Sequence, residues 1–399
     1  MADQKKLRSI SDVNDLEGKR VLLRCDLNVP LSDSLEVVDD TRIVESLDTI
    51  NYLIAAGAIV IIVTHLGRPG GKVVEELRLG PVAKVLEARL KRDVLKLDEA
   101  IGVEVEAALG GLKPGSVALL ENIRFYSGEE SNDSSFSAEL ARLADIFVSD
   151  GFGVVHREHS SVHGVASYLP AYSGFLIDKE VRALSPIVEG KYRSPLAMIF
   201  GGAKMDTKIG VMKNFVGVAD TFLVGGALAN TFLAAKGVNV GRSLYEPNEV
   251  ATAIKIMEAC EGSKTKIILP VDVVVADSLG EDVGTDCVGV EEVGDRQIFD
   301  IGLNTAENFK SIVSSSQTVI WNGPLGVNKY EIFRKGSDFV LNSLVEFEGV
   351  SILGGGDTID CMKAAGFESS DFTHVSTGGG ACLEYLSGLE LPGLKVLCR

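Results

Sequence analysis

The chain has 399 residues, 46% of them hydrophobic and 24% charged, with a net charge of −17. That length exceeds what one hydrophobic core fills, so two domains of about 150–200 residues each are expected. The acidic balance argues against nucleic acid or an anionic membrane as the main partner, since either needs a broad basic surface. A small anion needs only a few converging arginines and lysines.

The opening stretch MADQKKLRSISD has no apolar run resembling a signal peptide. The longest apolar run, Leu53 to Val63, is far shorter than the roughly 20 residues that span a bilayer. A cytoplasmic protein is expected. Strands are then expected at RVLLRCDL (20–27), AIVIIVTHL (58–66), SVALLENIRF (116–125) and IFVSDGF (146–152), with a helix at TRIVESLDTINYLIAAG (41–57). SYLPAYSG breaks the chain, and GFLIDKEVRALSPIVEG reads as a connecting helix ended by Gly190. Further strands are expected at PLAMIFGG, TFLVGGA, KIILPVDVVVAD, QTVIWNG, VSILGGG and THVSTGG, and a helix at PNEVATAIKIMEACEG. Continuous apolar strands separated by helices indicate α/β architecture with parallel sheets covered on both faces. The six cysteines (Cys25, Cys260, Cys287, Cys361, Cys382, Cys398) are scattered with no CxxC pair, which suits reduced core thiols.

The two halves differ in the residues at their strand ends. In the first half the strand ends carry Arg24, Asp26, Asn28, His65, Arg68, Arg124 and Arg157; in the second they carry glycines. Open α/β sheets bind ligands at the carboxyl ends of their strands. R-C-D-L-N-V-P (24–30) would place Arg24, Asp26 and Asn28 on one side if the strand continued, with Pro30 ending it. H-L-G-R-P-G-G (65–71) and E-N-I-R-F (121–125) each add an arginine. Taken singly, each suits a solvated turn; three arginines in equivalent places suit bidentate recognition of phosphate or carboxylate.

V-V-H-R-E-H-S-S-V-H (154–163) holds three of the five histidines, His156, His159 and His163. Their spacing invites a metal reading, yet no acidic or cysteine ligand completes a set nearby, and Arg157 lies between them. G-G-A-K-M-D-T-K (201–208) places Lys204 and Lys208 four apart, on one helical face or across a loop and first turn. Lysine at a helix N-terminus is disfavoured unless an anion sits there. G-G-G-D-T (354–358) offers Asp357 to a magnesium ion, and S-T-G-G-G-A (376–381) offers successive backbone N–H groups. Each glycine run also suits an ordinary strand–helix turn. Together, facing an arginine-rich half, they suggest phosphoryl transfer between two anionic substrates.

With RCDLNVP, DDTRI, HLGRP, LLENIRF, DGFGVVHREHSS, GFLIDKE, GGAKMDTKIG, LPVDVVVAD, WNGPLGV, GGGDT and STGGGACLEYLSG in this order, the sequence resembles phosphoglycerate kinase along nearly its entire length. The resemblance implies two Rossmann-like domains with mainly parallel sheets facing a central cleft, closing by hinge-bending. Residues 1–173 would form the triose-phosphate domain, 174–190 an interdomain helix and 191–387 the nucleotide domain, the tail 388–399 returning to the first. The implied reaction is reversible transfer from 1,3-bisphosphoglycerate to ADP, giving 3-phosphoglycerate and ATP, with Mg2+ bound to the nucleotide, by a monomer without nucleic-acid or membrane partners. Triose binding would fall to Asp26, Asn28, Arg42, His65, Leu66, Gly67, Arg68, Arg124 and Arg157. Nucleotide binding would fall to Lys208, Gly225, Gly226, Asn322, Pro324, Gly326, Lys329, Gly354, Gly355, Gly356, Asp357 and Thr358. Arg42, Lys204, Lys208, Gly378, Gly379 and Gly380 would stabilise the group in flight, and Asp357 would hold the metal.

Two departures stand out. The family reads WNGPxGVFE, with a glutamate that contacts the ribose, where this chain has WNGPLGVNKYE and Lys329; DIGPxT is DIGLNT, with Leu303 for proline. Other classes fit less well. A binding protein would not need Lys204, Lys208 and Asp357 together, and a nicotinamide dehydrogenase would need a GxGxxG after its first strand, which is missing. An acyl-phosphate kinase of other specificity is the alternative that an assay must separate.

Overall fold

The structure, a computed structural model, describes residues 6–398, so Arg399 of the tail motif lies outside the described residues. The chain divides into two compact units. One runs to Arg182 and takes in the chain again from Glu390; the other is Ala183–Leu389.

In the first unit six parallel strands stand in the order β3-β4-β2-β1-β5-β6 among the described residues. They are β1 (Arg20–Arg24), β2 (Ile59–Val63), β3 (Leu95–Lys96), β4 (Val117–Leu119), β5 (Ile146–Ser149) and β6 (Ala171–Ser173). β2 is buried at every position because helices cover both faces, which is why its sequence shows no polar alternation. The helix Thr41–Ala55 turns Ile43, Ile50 and Leu53 inward as one stripe and lays them on this core.

Two expected strands are shorter than the sequence suggests. β1 stops at Arg24, and the Leu27 N–H bonds to Thr64 Oγ1 at 2.9 Å rather than to a strand partner. Arg24, Asp26 and Asn28 nevertheless all reach the loop after β2: Arg24 Nη2 lies 3.2 Å and Asp26 Oδ1 3.8 Å from His65 Nδ1, and Asn28 Oδ1 accepts the Gly67 N–H at 2.9 Å. β4 ends at Leu119, and Ile123–Phe125 forms a 3-10 turn started by Asn122, whose side chain accepts from the Arg124 N–H. Arg124 thus arrives on a turn, not a strand. The chain's end packs within this unit, with the Gly393 N–H on the Val155 carbonyl (2.8 Å) and the Arg8 N–H on the Leu397 carbonyl (2.9 Å).

The helix Phe175–Val188 carries the chain from one unit to the other. Buried Asp150 accepts the Leu176 N–H at 2.9 Å, and burial pushes its carboxyl up to about 8.

In the second unit the parallel sheet runs β15-β14-β13-β7-β8-β9. Its members are β7 (Leu196–Phe200), β8 (Thr221–Val224), β9 (Lys266–Ile268), β13 (Thr318–Asn322), β14 (Val350–Gly354) and β15 (His374–Ser376). A separate antiparallel sheet holds β10 (Asp272–Ala276) between β11 (Asp286–Gly289) and β12 (Gln297–Ile301). The stretch KIILPVDVVVAD is therefore two strands in two sheets. Pro270 has no N–H to donate to a ladder, so the chain breaks there. β3, β6, β11 and β12 lie outside the expected strands; they are short or carry mixed polarity, where periodicity is weakest. No helix among the described residues is long and apolar enough to cross a membrane.

Candidate active site

The basic groups of the first unit gather at the carboxyl ends of its central strands. Arg42, second residue of the helix Thr41–Ala55, donates to the Asp26 carboxylate, which is 7% exposed. Burial opposes ionisation of Asp26, but Arg42, His65 and Arg24 outweigh it and hold the carboxyl below its usual range. A methyl group on Gly153 would overlap this carboxylate and lie 3.6 Å from Arg42 Nη1, so that position accepts only glycine without displacing the pair. The loop after β2 carries His65, Leu66, Gly67 and Arg68. The Gly67 N–H donates to Asn28 Oδ1 at 2.9 Å, and its carbonyl accepts from Arg124 Nη1 at 2.9 Å. Gly67 has φ +63, a left-handed conformation that glycine adopts without strain. Arg68 and Arg157 are exposed, Arg124 is buried.

His65 is 4% exposed and held well below the usual imidazole range by burial, with Asp26 acting against and Arg24 acting with it. His156 and His159 are each pushed down to about 4, chiefly by burial and then by Arg157 and Arg124 respectively. Both rings have a buried Nδ1 without a hydrogen bond, and the His163 Nδ1 lies 3.4 Å from Asn132 Nδ2. Among the described residues no group of three or more His, Cys, Asp or Glu side chains is arranged to hold a metal. His65, His156 and His159 are neutral walls around an arginine cluster.

Several contributors escape sequence reasoning. Asn122 is fully buried, donates to the Leu66 and Leu77 carbonyls (2.8 and 2.9 Å) and accepts from the Leu66 and Arg124 N–H groups. It clamps the His65 loop to the turn bearing Arg124. An asparagine ahead of a turn is a weak but readable signal; buried Glu129 and Ser161 offer none, and Arg24 is readable as a strand-end arginine but not as a buried one.

In the second unit the glycine loops interlock by backbone bonds. The Gly202 N–H meets the Pro324 carbonyl (2.7 Å), the Gly225 N–H the Phe200 carbonyl (2.8 Å) and the Gly226 N–H the Leu325 carbonyl (2.9 Å). Gly226 has φ +62, and a Cβ there would stand 2.7 Å from the Gly202 nitrogen, so close approach requires glycine. Asn322 Nδ2 and Thr358 Oγ1 each donate to the Gly354 carbonyl at 2.8 Å, and Thr358 Oγ1 accepts the Gly323 N–H at 2.7 Å. These two buried side chains hold the loops after β13 and β14 together. Gly355 (φ +97) comes next, then exposed Gly356 and Asp357 at the start of the helix Gly356–Ala364. Gly378 donates its N–H to Ser376 Oγ (3.2 Å), Gly379 has φ +52, and Gly380 opens the helix Gly380–Leu386.

Lys204 and Lys208 do not share a helical face. Lys204 is exposed and precedes the helix Asp206–Phe215, while Lys208 sits in its first turn, 7% exposed, with Nζ 3.3 Å from the Lys204 carbonyl and from Thr207 Oγ1. Burial lowers its pKa, with Asp357, Asp206 and Glu246 acting the other way.

Beside these loops lies a cavity of about 390 Å³, lined by Gly202, Gly226, Leu244, Pro324, Gly326 and Asn328 among others. Burial pushes Asp300 in its wall up to about 8. Lys329 is exposed, its ammonium 5.3 Å above the Tyr330 ring, and it is not among the lining residues. Its neighbour Asn328 is: Nδ2 donates to the Asp357 carbonyl at 2.7 Å, and Oδ1 is buried without a partner. Leu303 opens the helix Leu303–Ser315 with its side chain 59% exposed. A first helical position suits proline or leucine alike, since its N–H has no intrahelical acceptor.

The sequence family described as phosphoglycerate kinase matches residues 10–389. A protein of that name from Herpetosiphon aurantiacus is 45% identical over 95% of this chain and 96% of its own length. Another from Moorella thermoacetica is 45% identical over 96% and 97%. The solved phosphoglycerate kinase of Coxiella burnetii superposes with a TM-score of 0.86 at 37% identity, covering 98% of this chain and 99% of that one. That of Pyrococcus horikoshii gives 0.87 at 32% identity and 98% coverage of both. Matched from end to end in sequence and in fold, the chain belongs to the phosphoglycerate kinase family.

Proposed function

We propose that the first unit binds the triose substrate and the second the nucleotide in the reaction of this family. That reaction is reversible phosphoryl transfer between 1,3-bisphosphoglycerate and ADP, giving 3-phosphoglycerate and ATP, and the chain is a phosphotransferase with a carboxyl group as acceptor. The observation that carries the division of labour is the contrast between the half-sites: arginines around a buried Asp26 that is paired with half-buried Arg42 in one, interlocked glycine loops and a buried Lys208 in the other. Two anionic substrates exchange the group directly, so no side-chain nucleophile is needed, and positioning with charge neutralisation does most of the work.

In this reading Asp26, Asn28 and His65 orient the glycerate, while Arg42, Arg68, Arg124 and Arg157 neutralise its phosphate and carboxylate. Lys208, Lys204 and the Gly378–Gly380 segment meet charge on the equatorial oxygens of the group in flight. Asp357 is exposed and offers the hard oxygen ligand that Mg2+ takes alongside nucleotide phosphates. When bound, the ion neutralises phosphate charge. A net charge of −17 favours a dispersed chain, and a cytoplasmic monomer is the form in which we propose it works. The test is a coupled assay with 3-phosphoglycerate, ATP and magnesium, with acetate as control acceptor. Turnover with acetate alone would identify an acyl-phosphate kinase of other specificity.

Two predictions arise here. Arg157→Ala should weaken 3-phosphoglycerate binding by about 10-fold or more, the loss of one charge-assisted contact, whereas His159→Ala should leave both binding and metal content nearly unchanged. Calorimetric titration and metal analysis decide; stoichiometric zinc lost with His159 would restore the metal reading.

The second concerns the ribose. Lys329 stands in the sequence where the family has its glutamate; it is exposed, and neither it nor Glu331 lines the cavity. ATP should be preferred over 2′-deoxy-ATP only weakly. Lys329→Glu should raise that preference by roughly 10-fold, since a hydrogen bond to a charged group contributes about 1.5–3 kcal/mol. Strong discrimination by the native chain, unaltered in Lys329→Glu, would mean that other residues hold the ribose.

A further inference from the structure

We propose that Arg24 is a positioning residue which fixes the proton of His65 on Nε2. Arg24 is 1% exposed, so its guanidinium is turned into the protein rather than outward to a ligand. Its Nε donates to Ser161 Oγ at 2.9 Å, Nη1 donates to the Cys25 carbonyl, and Nη2 lies 3.2 Å from His65 Nδ1. Ser161 is held from behind by Glu129, which accepts its N–H at 2.9 Å and its hydroxyl at 2.6 Å and is itself fully buried. The chain Glu129–Ser161–Arg24–His65 is continuous and shielded from water.

The chemistry rests on donor and acceptor capacity. A guanidinium has only N–H groups and no acceptor, so His65 Nδ1 must be the acceptor and must be bare. A neutral imidazole with a bare Nδ1 carries its proton on Nε2. The charged groups facing the ring are Asp26, Arg24, Arg124 and Arg42; burial foremost, with the three arginines, keeps the ring neutral against the opposing pull of Asp26. Asp26 is the competitor. Its Oδ1 lies 3.8 Å from Nδ1 and has no hydrogen-bond partner. Without Arg24, Asp26 would draw a proton to Nδ1, giving the other tautomer or an imidazolium. Arg24 therefore ensures that His65 offers an N–H, not a lone pair, to an oxygen-rich ligand. The consequence for binding rests on assigning the triose to the first unit; the tautomer itself does not.

The first measurement is 15N NMR of the ligand-free full chain with labelled histidine, the His65 signals assigned by their loss in His65→Gln. The expected spectrum at neutral pH shows an unprotonated Nδ1 and a protonated Nε2. A proton on Nδ1, or on both nitrogens, overturns the proposal. The second uses Arg24→Met/Glu129→Gln, which removes the guanidinium without stranding a buried carboxylate. His65 should then titrate at a higher pH than in the native chain. Its affinity for 3-phosphoglycerate, relative to native at each pH, should rise by roughly 3- to 10-fold from pH 8 to pH 6 as the ring gains charge. A uniform loss of affinity with an unaltered pH profile would make Arg24 merely structural and overturn the proposal. If the native chain fails to bind 3-phosphoglycerate at all, the triose reading falls while the NMR result still decides the tautomer.

Discussion

Lys208→Ala is expected to lower turnover by about 10²- to 10³-fold with little change in KM for either substrate. The ammonium is buried in the first turn of a helix, where the peptide dipoles disfavour a cation. Its hydrogen-bond partners are neutral, the Lys204 carbonyl and Thr207 Oγ1, each at 3.3 Å. Burial accordingly lowers its pKa. A cation held at such a place is compensated when negative charge arrives, and most fully when that charge is greatest, during transfer. Lys208→Arg should restore little of the loss, because a planar guanidinium cannot stand in for a compact ammonium in a packed site. Steady-state kinetics together with nucleotide titration check both. A raised KM with unchanged kcat would make Lys208 a ground-state binding residue.

Trp321→Ala should destabilise the second unit by about 3–5 kcal/mol, the usual range for deleting a buried aromatic. Trp321 is fully buried on β13, paired with Ile199 of β7 and Leu353 of β14, and packed in the core that includes Phe309 and Leu325. Its indole N–H donates to the Gly323 carbonyl at 2.6 Å, so the same side chain ties the core to a glycine loop of the nucleotide half-site. Trp321→Phe keeps most of the packing and should cost about 1 kcal/mol for the lost hydrogen bond plus a smaller cavity term. Urea unfolding followed by circular dichroism measures the shift, since the only tryptophan fluorophore is removed. A loss below about 1 kcal/mol in Trp321→Ala would mean that the neighbours collapse into the space.

Much of the candidate site was legible because it rests on local signals. Apolar strands followed by Arg24–Asp26, His65–Arg68, Gly201–Lys204 or Gly354–Asp357 announce strand ends that carry polar or glycine loops. The physics is short-ranged: a strand stops where the chain cannot continue in the ladder. Less legible were side chains whose function depends on distant partners. Asn122 holds a loop some 56 positions away, and Ser161 and Glu129 reach Arg24 from another element.

What the sequence by itself determined was the two parallel sheets, the order of the motifs and the opposition of an arginine-bearing half to a glycine-bearing half. Hydrophobic runs, turn residues and charge positions are properties of adjacent residues and survive in one dimension. Only the tertiary structure decided that Arg24 turns inward while Arg68 and Arg157 stay exposed. It likewise divided KIILPVDVVVAD between two sheets and seated Asn328, not Lys329, at the cavity. Burial and hydrogen-bond partnership come from contacts between segments far apart in the chain, so whether a charged side chain binds a ligand or braces its neighbour is fixed only when those segments meet.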